Sequence, residues 1–334
     1  MNRHLGSLIS CGIAVLTILI APCSVLNAAT QPATTWQKLT LTKSPSVRAA
    51  SAFAYDPVSS KIVLFGGFGP NNHLGDTWTF DGTAWTQVTT AVAPSARSNS
   101  GIAFDSVTGK LVLFGGFDGM NYLSDTWLWD GATSTWTQAS TTDSPAPATG
   151  PALFTDPVNG HVDAFGGYNR TNGYQGTTWQ WTGSDWVELS PSVNPSGRGS
   201  AEVILDPVHN NVFLFGGLSD VNPINTWTFD GSSWAEQSPK TSPPDIMFGG
   251  AAFDPDLGQV IVFGGWGGIN ARDLNTTWAW SGTNWAFLKP AASPTNREYL
   301  NMAYDEATHQ LVVFGGYQIV PNILFNDTWV LVKK

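Results

Sequence analysis

Six glycine doublets constrain this chain more than any other feature. They lie at Gly66-Gly67, Gly115-Gly116, Gly166-Gly167, Gly216-Gly217, Gly264-Gly265 and Gly315-Gly316, with spacings of 49, 51, 50, 48 and 51 residues. A sixfold period near fifty residues means stacked modules, each too small to bury its apolar face alone. Each doublet closes an apolar run such as "IVLF" or "VFLF", and about a dozen residues later comes a tryptophan: Trp78, Trp127, Trp179, Trp227, Trp278 and Trp329. Only 12% of residues are charged, against 35 Gly and 16 Trp, and no long amphipathic helical pattern occurs, so the chain reads as all-β.

Each unit divides into four short strands, A to D, represented in the first by "SAFAY", "KIVLF", "TWTF" and "AWTQV". Asp-Pro opens four of the A–B turns, since Asp suits the first position of a type I turn and Pro presets φ at the second. Between strands C and D, Asp81-Gly82 carries the type I′ signature, which sets Phe80 opposite Thr83 and Trp78 opposite Trp85. The second tryptophans, Trp85, Trp136, Trp186, Trp234 and Trp285, then act as mortar between modules. The sixth unit ends after strand C, whereas "TWQKL" at Thr35–Leu39 supplies a Trp36 with no strand C before it. The N-terminal strand is therefore expected to complete the last module.

An apolar run ending in Gly-Gly, an aromatic before a turn and a Trp at the fourth strand resemble the kelch repeat, over Trp36 to Lys334. The resemblance implies a six-bladed β-propeller of kelch repeats, all-β, whose last blade is closed by the N-terminal strand. It is similar to secreted bacterial kelch proteins, to the central domain of galactose oxidases and to sialic acid mutarotase propellers. The copper cofactor of galactose oxidases needs a cysteine cross-linked to a tyrosine. Here both cysteines, Cys11 and Cys23, lie in the leader, so no cofactor is expected.

Residues 1–29 read as a secretory signal peptide, with "MNRH", an apolar run and small residues around Ala28 and Ala29. The propeller then occupies 30–334, secreted or periplasmic, with no membrane contact beyond the signal. A formal net charge of −10 repels phosphate backbones, so nucleic acid is not an expected partner. The four histidines beyond the leader are scattered, and no zinc or calcium motif occurs, so no metal site is expected.

Function is sought in the loops on the face formed by the B–C loops and D–A connections, where the repeat stops dictating residues, and where the resemblance implies ligand binding. Eight residues before the Asp that closes strand A stand Arg48, Arg97, Arg198 and Arg297, with Ala148 and Ile246 in the other two units. They form either a partial guanidinium ring for an anionic ligand or, as the resemblance implies, ties between neighbouring blades through backbone carbonyls. After each doublet stands Phe68, Phe117, Tyr168, Leu218, Trp266 or Tyr317; Tyr168, Trp266 and Tyr317 are candidates for stacking on a ligand, as are Arg170 and Arg272 for polar contact. Glu202 and Glu298 are candidate acids or bases near the channel. The expected function is a secreted module binding a protein or a carbohydrate through this face. The alternative is a sugar-anomer mutarotase that holds its substrate carboxylate with the rim arginines.

Overall fold

The apolar runs before the doublets form the second strand of six four-stranded antiparallel sheets in the computed structural model, which describes residues 33–221, 225–244, 246–268 and 272–333. In blade 1, strands A to D are Ala52–Asp56, Lys61–Phe65, Thr77–Phe80 and Trp85–Val88. Blades 2 to 5 repeat this order along the chain. Blade 6 takes Asn301–Asp305, Gln310–Phe314 and Thr328–Lys333 from the C-terminal end and completes itself with Thr34–Lys38 from the N-terminal end. The expected closure is thus present, with Trp36 opposite Leu331 and Lys38 opposite Trp329. The leader lies outside the described residues. Among the described residues no helix is long and apolar enough to cross a membrane.

The C–D register differs from the expectation. Phe80 faces Trp85, and Trp78 faces Gln87. The cause is Asp81, whose carboxylate accepts the amides of Thr83 at 2.9 Å and Ala84 at 2.8 Å and so caps the turn instead of entering it. Gly82, at φ 86°, becomes the first central residue, the pattern of a type II′ hairpin rather than I′. In four units the second tryptophan consequently pairs with the aromatic two residues after the first: Phe80–Trp85, Trp181–Trp186, Phe229–Trp234 and Trp280–Trp285. Trp129–Trp136 does the same across the longer loop of blade 2.

The mortar role stands, through contacts that repeat around the ring. Each strand D tryptophan packs on the phenylalanine that precedes the doublet of the previous blade: Phe314–Trp85 at 5.0 Å, Phe65–Trp136 at 5.5 Å, Phe114–Trp186 at 5.5 Å, Phe165–Trp234 at 5.2 Å, Phe215–Trp285 at 4.8 Å and Phe263–Trp36 at 5.1 Å. Its indole N–H donates to the threonine that opens strand C of that same blade, as Trp85 does to Thr328 and Trp36 to Thr277. The apolar core is accordingly six clusters, one in each seam. The doublets seat these seams: a Cβ on Gly66 would come 2.5 Å from the Arg97 carbonyl, and Gly67, at φ 106°, donates its amide to that carbonyl.

One strand B residue breaks the apolar pattern. Asp163 occupies the register held elsewhere by Val63, Val112, Phe213, Ile261 and Val312 and has no solvent exposure. Gln180 donates to its Oδ1 at 2.9 Å, but burial, with Asp156 alongside, pushes its carboxyl up to about 8. The folded chain keeps this proton where the unfolded chain has already lost it, so stability should fall as pH rises from about 4 to about 8. Asp163→Asn should flatten that slope by about one proton and raise stability at pH 8, read by denaturant unfolding at several pH values. A slope unchanged in the variant would refute the assignment.

Candidate functional site

The D–A connection and the B–C loop of each blade meet on one face through a narrow antiparallel bridge. The residue after the arginine column pairs with the residue after the doublet: Ala49 with Phe68, Ser98 with Phe117, Thr149 with Tyr168, Gly199 with Leu218, Met247 with Trp266 and Glu298 with Tyr317. The backbones of the aromatic column are thereby pinned while its side chains stay partly exposed. Phe68 is 44% exposed, and Tyr168, Trp266 and Tyr317 are half-buried.

Across blades 1 to 3 these side chains and their loop neighbours form an unbroken arc. Centroid distances are 5.4 Å for Phe68–His73, 5.7 Å for His73–Phe117, 5.2 Å for Phe117–Tyr122, 6.0 Å for Tyr122–Tyr168 and 4.8 Å for Tyr168–Tyr174. Edge-to-face and tilted geometries hold the rings against one another from blade to blade. Burial lowers the pKa of His73, partly opposed by Asp118, which favours its neutral, stacking form. Sequence reasoning singled out Tyr168 but missed His73, Tyr122 and Tyr174, which lie in loops of irregular spacing.

The arginine column does not form a ligand-binding ring. Arg48, Arg97, Arg198 and Arg297 are at most 1% exposed. Arg97 places all five N–H groups on its own blade: Ser95 O, Ser95 Oγ, Gly115 O and both oxygens of Asp125, the last two at 2.5 and 2.8 Å. Arg48 repeats this set with Ser46, Gly66 and Asp76, and Arg297 pairs with Asp327 and covers Phe325 at 4.1 Å. Burial pushes Asp76, Asp125 and Asp327 up, but the arginine's hydrogen bonds and charge, with an indole N–H, outweigh it and hold all three carboxyls below the ordinary range. Arg198 meets Asn225 instead, and burial without a carboxylate partner lowers it to about 10. Arg170 and Arg272 are exposed and form no ion pair among the described residues.

The two candidate carboxylates, both expected near the channel, lie in different places. Glu202 lies at the channel mouth beside Gly249, and burial pushes it up to about 8. Around it Ala50, Asn99, Gly150, Ser200, Phe248 and Tyr299 all take left-handed φ between 50° and 63° and pass backbone hydrogen bonds from blade to blade, as in Asn99 N–H to Ala50 O at 2.8 Å. Phe248 and Tyr299 stack at 4.1 Å. Glu298 instead borders a cleft of about 560 Å³ at the seam of blades 6 and 1, walled by Phe68, Pro70, Asn99, Tyr299 and Tyr317. No group of three or more His, Cys, Asp or Glu that could hold a metal occurs among the described residues.

A model of the kelch-repeat domain of KLHDC2, KLHL20 and DRC7 matches residues 23–217, more than half of the chain. The protein belongs to the kelch-repeat family. No curated protein matches the chain. As a kelch propeller it carries two kinds of residue on this face: arginines buried and bonded within their blades, and an arc and a cleft in which the repeated aromatics after the doublets are joined by unrepeated loop residues.

Proposed function

We propose that this kelch propeller is a protein-interaction module that binds an extended segment of a partner across the face of the B–C loops and D–A connections. The observation that carries the reading is the six-ring arc from Phe68 to Tyr174, continuous over three blades and partly exposed. Pinned aromatic surface of this kind supplies contact area at little cost in conformational entropy. The cleft at blades 6 and 1 adds a concave pocket for an anchoring side chain. The mutarotase alternative loses its support, because the arginines it required are buried and saturated. With the leader at residues 1–29, we read the module as exported, meeting its partner in the periplasm or outside the cell.

Panning a random dodecapeptide library on the purified protein tests the reading, with a glycan array in parallel for a carbohydrate occupant of the same rings. Selected peptides should weaken about tenfold on Tyr168→Ala or Tyr317→Ala and stay unaffected by Val158→Lys on the opposite face. Peptides that respond only to Val158→Lys, or ligands found only among glycans, would overturn it.

A further inference from the structure

Glu298 is buried, with 5% of its surface exposed, and borders the cleft. Its backbone is fixed by two hydrogen bonds of 2.8 Å exchanged with Tyr317. Its carboxyl has neither a hydrogen bond nor an ion pair among the described residues. A buried carboxyl without a partner is costly; Asp76, Asp125 and Asp327 each avoid that state by holding an arginine, and Glu298 does not.

The groups around it are of one sign or neutral. Asp273, on the short strand Arg272–Asp273, accepts the Ile319 amide through Oδ2 and leaves Oδ1 buried and unpaired. Arg297, next to Glu298 in the chain, is turned away onto Asp327 and the Gly315 carbonyl. Tyr317 donates its hydroxyl to Asn322, and Tyr299 stacks on Phe248. Phe68 in the lining is 44% exposed, and in the blade 6 loop that supplies the lining residues Asn322 and Leu324, Ile319, Val320 and Ile323 are 41%, 76% and 41% exposed, apolar surface on a protein of net charge −10.

We infer that the cleft between blades 6 and 1 takes a lysine or arginine side chain of the partner, with Glu298 as its counter-ion and Phe68, Tyr299 and Tyr317 as its aromatic walls. The inference rests on the interaction reading and names the anchor residue of the bound segment. Aromatic faces attract a cation, a carboxylate in the lining of the cleft completes the pair, and the exposed apolar residues of the blade 6 loop receive the neighbours of the basic residue. Burial, with Asp273 nearby, pushes Glu298 up to about 7, so in the empty cleft it is partly protonated at neutral pH. An entering cation favours the carboxylate and displaces that proton.

The experiment uses synthetic apolar heptapeptides that differ only at the central position, which is lysine, arginine, norleucine or glutamate. Lysine and arginine peptides should bind the purified protein about tenfold more tightly than the norleucine peptide, with glutamate weakest. Glu298→Gln should bring the lysine-to-norleucine ratio close to one. On the unmodified protein, calorimetry at pH 7 in buffers of different ionisation enthalpy should register proton release with lysine and none with norleucine, a readout that needs no variant. Equal affinity for lysine and norleucine, or a preference that survives Glu298→Gln, would overturn the inference and leave the interaction reading standing. No binding by any heptapeptide or library member would overturn both.

Discussion

Trp36→Ala should destabilise the propeller by about 3–5 kcal/mol, the range for removing a buried indole. The residue lies on the edge strand of its blade, paired on one side only. It is nevertheless 2% exposed, packs on Phe263 at 5.1 Å and donates its indole N–H to Thr277 at 3.1 Å, both in blade 5. Its strand supplies the fourth member of blade 6, so the same side chain joins the two ends of the chain and fills the seam between blades 5 and 6. Truncation of residues 34–38 should cost at least as much, since it also removes a ladder of backbone hydrogen bonds and exposes the edge of Thr328–Lys333. Trp329→Ala offers a control of the same chemistry, for Trp329 is half-buried and bonded only to Asp327 in its own blade. Urea unfolding should place its loss well below that of Trp36→Ala. Equal losses would mean that the closing strand contributes no more than a surface contact.

The period, blade count and closure were legible because each depends on residue types that the backbone demands. Glycine alone fits where Gly66 and Gly67 approach the Arg97 and Ala49 carbonyls, so the doublet survives in every unit. The C–D register was not legible from Asp81-Gly82, because that dipeptide serves two turns that differ by one residue, and the choice lies with a side-chain cap. The ring of left-handed residues at the channel mouth left no trace either. Ala50, Asn99, Gly150, Ser200, Phe248 and Tyr299 share no residue type, and blade-to-blade hydrogen bonds impose the conformation from outside. The site was legible only as a region. The loops were correctly placed on one face, but His73, Tyr122 and Tyr174 join the arc through contacts between blades, which no local spacing encodes.

One signal for the arginines was present in the sequence. Where a unit has arginine, the residue before the threonine and tryptophan of strand C is Asp76, Asp125, Asn225 or Asp327; where it has Ala148 or Ile246, that residue is Thr177 or Thr276. Polar partner and arginine come and go together within one chain, as a structural pair does and a ring for an external anion need not. Arg97→Ala should therefore cost about 3–5 kcal/mol, because Asp125 loses its counter-ion and keeps only the Trp127 indole N–H, and the Gly115 carbonyl keeps only the Ser100 hydroxyl, while the carboxylate remains largely enclosed. Binding to the face should change only as far as folding does. Blade 3 supplies the compensating change: there Thr177 stands beside Ala148, and its hydroxyl accepts the Trp179 indole N–H at 3.2 Å in place of a carboxylate. The double variant Arg97→Ala with Asp125→Thr should recover a large part of the loss, because threonine removes the stranded charge and still offers Trp127 an acceptor. A double variant no more stable than Arg97→Ala alone would break the pairing argument. A single variant of unchanged stability with weakened peptide binding would return the arginines to the ligand.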